Sequence, residues 1–208
     1  MTLPAADRAY RHTKDLILAG KVTGGAILSE VAMAEELGIS RTPVHEAFLR
    51  LESERLLELA PRRGATVVPM APQESRDVLE MREAIEVSAA RRALSDGPLS
   101  PESLDRLRHN LDAQRAVASD GPDEFAPLDS EFHAMLLAAS GNTTAIQLHG
   151  LLRDRQHRLR HRLLTVSQDE VDSSLIEHEQ MYAAAESGDA EQLCELISAH
   201  IRRYRGLL

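Results

Sequence analysis

Apolar side chains return every three or four residues through most of this chain, and they alternate with polar ones in one short stretch only. In "SRTPVHEAFLRLESERLL", residues 40–57, Val44, Ala47, Phe48 and Leu51 fall at i, i+3, i+4 and i+7. That spacing predicts a helix burying a single stripe. Ser40 or Thr42 is placed to cap it, and Pro43 then sits in the first turn, where a missing N–H costs nothing. Upstream, "ILSEVAMAEELG", residues 27–38, predicts a short helix capped by Ser29, with Val31, Ala34 and Leu37 on its apolar side and Gly38 ending it. Gly38–Ile39–Ser40 is then a tight turn between two helices. Residues 5–19 predict a further amphipathic helix with Leu16 and Ile17 inward. The alternating stretch is "LLELAPRRGATVVP", residues 56–69, which predicts a two-stranded hairpin around Pro61, Arg62, Arg63 and Gly64. Three helices followed by a basic-tipped hairpin make a winged helix-turn-helix.

From Ala71 onward the period is helical throughout. Six segments are expected, at about 72–95, 100–118, 123–140, 143–165, 168–187 and 189–206. The breaks "DGPLSP", "DGP", "SGN", "TVSQD" and "SGD" each bring Gly, Pro or a capping residue, with Ser100 and Asp189 as expected N-caps. The expected architecture is mainly α: a winged helix-turn-helix over residues 1–70, then an all-α antiparallel six-helix bundle over residues 71–208. Met70–Ala71–Pro72 is the expected junction.

Composition narrows the setting. Aromatic residues are 3% of the 208 and Cys194 is the one cysteine, so neither an intrachain disulfide nor a cysteine-based zinc site is available. No apolar run is long enough to span a bilayer and no signal-peptide pattern opens the chain, so the expected location is the cytoplasm, away from membranes. The net charge is −9, but it is uneven. Residues 1–70 hold nine Lys/Arg and nine Asp/Glu, while the remainder holds 15 and 24. The N-terminal piece can therefore bind nucleic acid if its cations share a face.

Candidate chemistry gathers in two places. Arg41, Thr42 and His45 cluster on the polar side of a helix N-terminus, where free N–H groups and a cation suit a phosphate or a base edge. In the bundle, Asp129 and His133 lie four apart on one helix face. His178 and His200 lie 22 residues apart across the "ESGDA" turn. At about 1.5 Å per residue, two antiparallel helices bring these two to nearly one level. One carboxylate and three imidazoles facing one another would suit a divalent transition metal such as Zn, Ni, Mn or Fe. Glu177 and Glu179 flank His178, but adjacent helical positions point elsewhere. No general base therefore stands beside the ligands, which weighs against a metalloenzyme. The cation-rich "RDRQHRLRHRLL" stretch, from Arg153, is read as solvated charge or as a contact between domains or protomers, not as a second nucleic-acid site.

Residues 9–69 resemble the DNA-binding domain of the GntR family of bacterial transcription regulators. The matching pieces are "LSEVAMAEELGISRTPVHEAFLRLESERLL" and the wing "PRRGATVV". The resemblance implies DNA contacts from Arg41, Thr42, His45 and the wing residues Arg62, Arg63 and Gly64, with Pro43 shaping the helix start. His45 stands where the family usually has a second arginine, and a neutral imidazole cannot make a bidentate contact. Residues 75–204 resemble the all-helical FCD effector domain, through "REAIEVSAARRA", "DSEFHAMLLAASGN" and "EHEQMYAAAESGDAEQLCELISAH". Six helices resemble its shorter, VanR-like form. The resemblance implies that Asp129, His133, His178 and His200 hold a metal ion. It also implies that Arg82 meets an effector, unless Arg82 is only a surface ion pair. Asn142 reads as a helix cap.

The function these features imply is a sequence-specific transcription regulator, more readily a repressor, acting as a homodimer on a palindromic double-stranded operator. A small organic acid bound at or near the metal would control its operator affinity. The rival readings are a helical-bundle metalloenzyme, or a ligand-free dimerisation module behind a DNA-binding domain.

Overall fold

The computed structural model describes residues 3–60, 64–164 and 168–205, except for the side chains of residue 72 and of residues 153, 156–158 and 160–164. Contacts divide the chain into two units, Met1–Ala71 and Pro72–Leu208. Among the described residues no helix is long and apolar enough to cross a membrane.

The first unit holds α1 (Ala5–Leu18), α2 (Glu30–Leu37) and α3 (Arg41–Ser53), with strands β1 (Ile27–Leu28), β2 (Leu57–Ala60) and β3 (Gly64–Val67). The α3 stripe of Val44, Ala47, Phe48 and Leu51 is wholly buried, as its period requires. It meets Ala9 and Ile17 of α1 in one core, with Leu16 packed at the edge. Ser40 occupies the N-cap position of α3, which leaves Thr42 inside the first turn. Gly38 ends α2 in the left-handed conformation at φ 62°, and Ser29 Oγ accepts from Ala32 N. In α2 Ala34 is buried and Leu37 packs against the core as expected, but Met33 is buried where Val31 was expected, and Val31 is exposed. Its short length makes the difference: over 8 residues the tertiary partner, here α3, chooses between near-equivalent faces.

The second difference is the sheet. Ile27 and Leu28 do not lead into α2 but pair with the wing, so the sheet has three antiparallel strands in the order β1-β3-β2. Ile27 faces Thr66, and Leu57 faces Val67. Gly64 makes this possible. At φ 90° it begins β3 so close to β1 that an added Cβ would lie 2.2 Å from Leu28 O. No side chain fits there.

The second unit is all helical: α4 (Pro72–Ala93), α5 (Pro101–Val117), α6 (Pro122–Ala139), α7 (Thr143–Leu164), α8 (Gln168–Ser187) and α9 (Ala190–Arg205). The expected caps form. Ser100 Oγ accepts from Ser103 N at 3.2 Å, Asn142 Oδ1 from Ala145 N at 3.1 Å, and Asp189 Oδ1 from Gln192 N at 2.9 Å. α4 packs on α9, α6 and α7, α5 packs on α6 and α8, and α8 packs on α9. The α8–α9 turn is held in place by Gly188, at φ 78°, where a Cβ would meet Pro98 Cδ and N at 2.9 Å. Leu99 N also donates to Ala185 O at 3.3 Å. This turn sets the register of two of the histidines.

Candidate metal centre and nucleic-acid interface

In the helical unit, polar residues occupy positions that the helical period assigns to the core. The buried series on α6 includes Phe125, Asp129, Phe132, His133 and Leu136. On α8 it runs Val171, Ser174, His178 and Met181, and on α9 Leu193, Ile197, His200 and Tyr204. Burying such groups is costly unless each finds a partner. The partners prove to be one another. Asp129, His133, His178 and His200 are all buried and offer ligand atoms within 4.8 Å of one another. His133 Nε2 lies 3.2 Å from His200 Nε2 and 3.3 Å from His178 Nε2. Asp129 Oδ1 lies 3.4 Å from His178 Nε2 and 3.9 Å from His133 Nε2.

The outward nitrogens are held separately. His133 Nδ1 is 2.7 Å from Glu86 Oε2 of α4. His200 Nδ1 is 2.5 Å from Glu177 Oε2 of α8. His178 Nδ1 is 2.9 Å from Gln114 Oε1 of α5. A carboxylate only accepts, so the first two Nδ1 atoms carry hydrogens. For His178 the polarity follows from a chain of bonds. The Leu128 carbonyl only accepts, so Asn110 Nδ2 donates to it at 3.2 Å, and Asn110 Oδ1 accepts from Gln114 Nε2 at 2.6 Å. That turns Gln114 Oε1 toward His178, whose Nδ1 must donate. With all three Nδ1 atoms protonated, three Nε2 lone pairs and a carboxylate converge on one buried point. Such a donor set fits a divalent cation, and bringing it together without positive charge would be unfavourable. Phe132, itself buried, stacks on His178 at 4.4 Å and covers that side of the centre.

Arg82 and Glu86 form the charged layer behind His133. Arg82 is 1% exposed and donates from Nε to Glu86 Oε1 at 2.6 Å, so it is not a surface ion pair. Burial alone would raise the Glu86 carboxyl. The Arg82 charge, then His133, outweigh that and hold it well below the usual carboxylate range. Burial likewise opposes the Arg82 charge, and Glu86 and Asp129 more than offset it. Arg82 Nη2 is buried with no hydrogen-bond acceptor among the described residues. His149 Nε2 of α7, also buried, lies 3.6 Å from Glu86 Oε1.

In the first unit, Arg41 and His45 project from the N-terminal turns of α3, with 68% and 52% of their side chains exposed. Thr42 is exposed beside them, and Pro43 is the third residue of the helix. Glu30, in the first turn of α2, reaches between them. Its Oε1 is 2.8 Å from His45 Nδ1 and its Oε2 3.4 Å from Arg41 Nη2. The wing strand opens at Gly64, while Arg62 and Arg63 lie outside the described residues.

Sequence reasoning named Asp129, His133, His178, His200 and Arg82 but missed Glu86, Gln114, His149 and Glu30, and it set Glu177 aside as pointing away from His178, whereas Glu177 reaches His200 on the neighbouring helix. The i, i+4 relation of Arg82 and Glu86 was a usable signal. Gln114, His149 and Glu30 act across helices, and nothing local marks them.

The model of the gntR family of bacterial regulatory proteins matches residues 5–67, and the FCD domain model matches residues 77–203. The chain is 28% identical over 205 residues to the HTH-type transcriptional repressor RspR of Escherichia coli, covering 97% of this chain and 87% of that protein. It is 27% identical over 190 residues to a probable D-xylose utilization operon transcriptional repressor of Paenarthrobacter nicotinovorans, covering 90% of this chain and 81% of that one. In fold it is similar to McbR/YncC of Escherichia coli, with TM-score 0.79 and 22% identity over 99% of this chain and 97% of that chain. A crystallised GntR-type regulator from Rhodococcus matches with TM-score 0.80 and 20% identity, over 97% of this chain and 96% of that one.

Proposed function

The chain belongs to the gntR family of bacterial regulatory proteins and carries an FCD domain, and we propose that it is a metal-dependent, acid-responsive repressor. It is a DNA-binding transcription regulator rather than an enzyme, and relatives of near full length are named repressors. The observation that carries the finer reading is the convergence of Asp129, His133, His178 and His200 beside a buried arginine with a spare N–H.

Asp129 Oδ1 and the three Nε2 atoms would hold a divalent transition ion, with Zn, Ni, Mn and Fe all compatible with the donors. Bound there, such an ion supplies a Lewis-acidic anchor for the carboxylate of a small organic acid. Arg82 contributes the charge match, because its Nη2 is free to donate while its Nε stays on Glu86. In the first unit, Arg41, Thr42 and His45 would meet base edges and phosphates, with the wing at Gly64 alongside the duplex. A single winged helix reads one half-site, so the reading includes a homodimer on a palindromic operator. The acid would act by favouring an arrangement of the dimer with lower operator affinity.

The test begins with elemental analysis of protein purified without chelator or histidine tag, beside His178→Ala. About one transition ion per protomer, lost in the variant, is the expected result. Fluorescence anisotropy on operator DNA then follows a panel of small acids, where release by a metal-chelating acid in the parent but not in Arg82→Met is expected. Absence of metal from both proteins, even after Zn or Ni is added, sinks the metal-dependent reading. It leaves the DNA-binding function standing.

A further inference from the structure

Each of the three imidazoles has a different support, and the support of His200 is the most elaborate. Glu177 Oε2 takes the His200 Nδ1 hydrogen at 2.5 Å. The same carboxylate is gripped by Arg203, whose Nε lies 3.0 Å from Oε1 and whose Nη2 lies 3.0 Å from Oε2. Arg203 is itself anchored on Glu170 through Nη1, and its Nη2 donates to Ser174 Oγ at 3.1 Å. Ser174 Oγ shares a 2.7 Å bond with the Tyr204 hydroxyl, and the Tyr204 ring meets His200 edge-on at 5.1 Å. Glu86 and Gln114, which support the other two histidines, are buried, whereas the Glu177 side chain is 24% exposed.

We propose that Glu177 is a positioning residue of the metal centre, fixing His200 with its Nε2 lone pair turned inward while Arg203 fixes Glu177. The inference rests on the metal-centre reading above. The reason a fixed tautomer matters here is the 3.2 Å separation of His200 Nε2 and His133 Nε2. If the His200 hydrogen moved to Nε2, it would point at the His133 lone pair and close the site with a hydrogen bond. An imidazole free to choose would take that bond, because it satisfies two buried nitrogens at once. A carboxylate on Nδ1 removes the choice, since it accepts and cannot donate. It also strengthens Nε2 as a donor to a cation. Arg203 keeps the carboxylate aimed by a two-pronged contact, and its charge offsets that of Glu177. Glu177 therefore serves the histidine across the helix pair rather than its own chain neighbour His178.

The experiment uses the full chain stripped of metal and compares parent, Glu177→Ala, Glu177→Gln and Glu179→Gln. Glu179 is the control, because its carboxylate pairs with Arg115 at 2.8 Å and faces no histidine of the centre. Zn2+ affinity is read by competition with a chelating dye, and Co2+ absorption reports the ligand field. Loss of such a support typically costs about 10- to 100-fold in metal affinity. Glu177→Ala is expected to fall in that range with a shifted Co2+ band. Glu177→Gln, which keeps one acceptor, is expected to fall less, and Glu179→Gln to match the parent. Should Glu177→Ala fold poorly, the loss and spectral shift in Glu177→Gln decide. Zn2+ affinity and Co2+ spectra unchanged in both Glu177 variants overturn the proposal, as does an equal loss in Glu179→Gln. A parent that takes up neither ion overturns the metal centre and the role of Glu177 together.

Discussion

Glu86→Gln is the most informative single change to the bundle. Glu86 is 4% exposed and accepts from Arg82 Nε at 2.6 Å on one oxygen, while its other oxygen lies 2.7 Å from His133 Nδ1. The amide is nearly the same size, so packing is kept, while the charge and one of the two acceptor oxygens are removed. Arg82 is then left as a buried cation without its closest counter-ion. Breaking a buried pair on one side costs about 3–5 kcal/mol. For a protein of this size each kcal/mol moves Tm by about 2–4 °C, so a fall of roughly 6–20 °C is expected. The pH dependence has a definite sign. The folded-state pKa of Glu86 is depressed well below its ordinary value of 4.5. Its contribution is therefore fully present above the unfolded value and is lost as pH falls through the folded one. The gap between parent and variant should be constant from neutral pH down to about pH 5, then shrink only in stronger acid. Urea unfolding followed by circular dichroism, with chelator present and at a series of pH values, measures this. The double change Arg82→Met with Glu86→Gln should recover part of the loss, because no buried cation remains. A Glu86→Gln protein within about 0.5 kcal/mol of the parent at pH 7, the range of an ordinary surface change, would refute the reasoning.

Three further outcomes are expected. Arg41→Ala should weaken operator binding by about 1–3 kcal/mol if Arg41 reads a base, and should reduce the salt slope by about one if it meets a phosphate, as measured by anisotropy across salt concentrations. Glu30→Gln removes the negative charge between Arg41 and His45. It should tighten binding to operator and unrelated DNA alike while lowering their ratio, and weaker binding to both would mean that Glu30 chiefly positions these side chains. Gly188→Ala combines a φ of 78° with a Cβ contact of 2.9 Å to Pro98, so it should lower stability by more than about 1 kcal/mol. The same change should weaken metal uptake, read by dye competition, because it disturbs the register of His178 against His200.

Much of this molecule follows from local patterns. The α3 stripe, the Gly38 stop, the Ser100 and Asp189 caps and the six helices after Ala71 depend on spacing and backbone preference, which act over a few residues and are written into any short window. The spacing of Asp129 and His133, and the level of His178 and His200, belong to the same class, because helix geometry converts residue number into direction and height. What tertiary structure alone decided begins where two elements must choose a face. The pairing of β1 with the wing, and the turning of α2 to bury Met33 rather than Val31, depend on which surfaces meet across the first unit. The supports of the imidazoles are of that kind too. Glu86 reaches His133 from α4, Gln114 reaches His178 from α5, and Glu177 turns away from its neighbour to serve His200 on α9. A helix tells each residue which way it points. Only the packing of six helices around one centre tells it what it meets, and the cost of burying an unpartnered polar group is what selects these meetings.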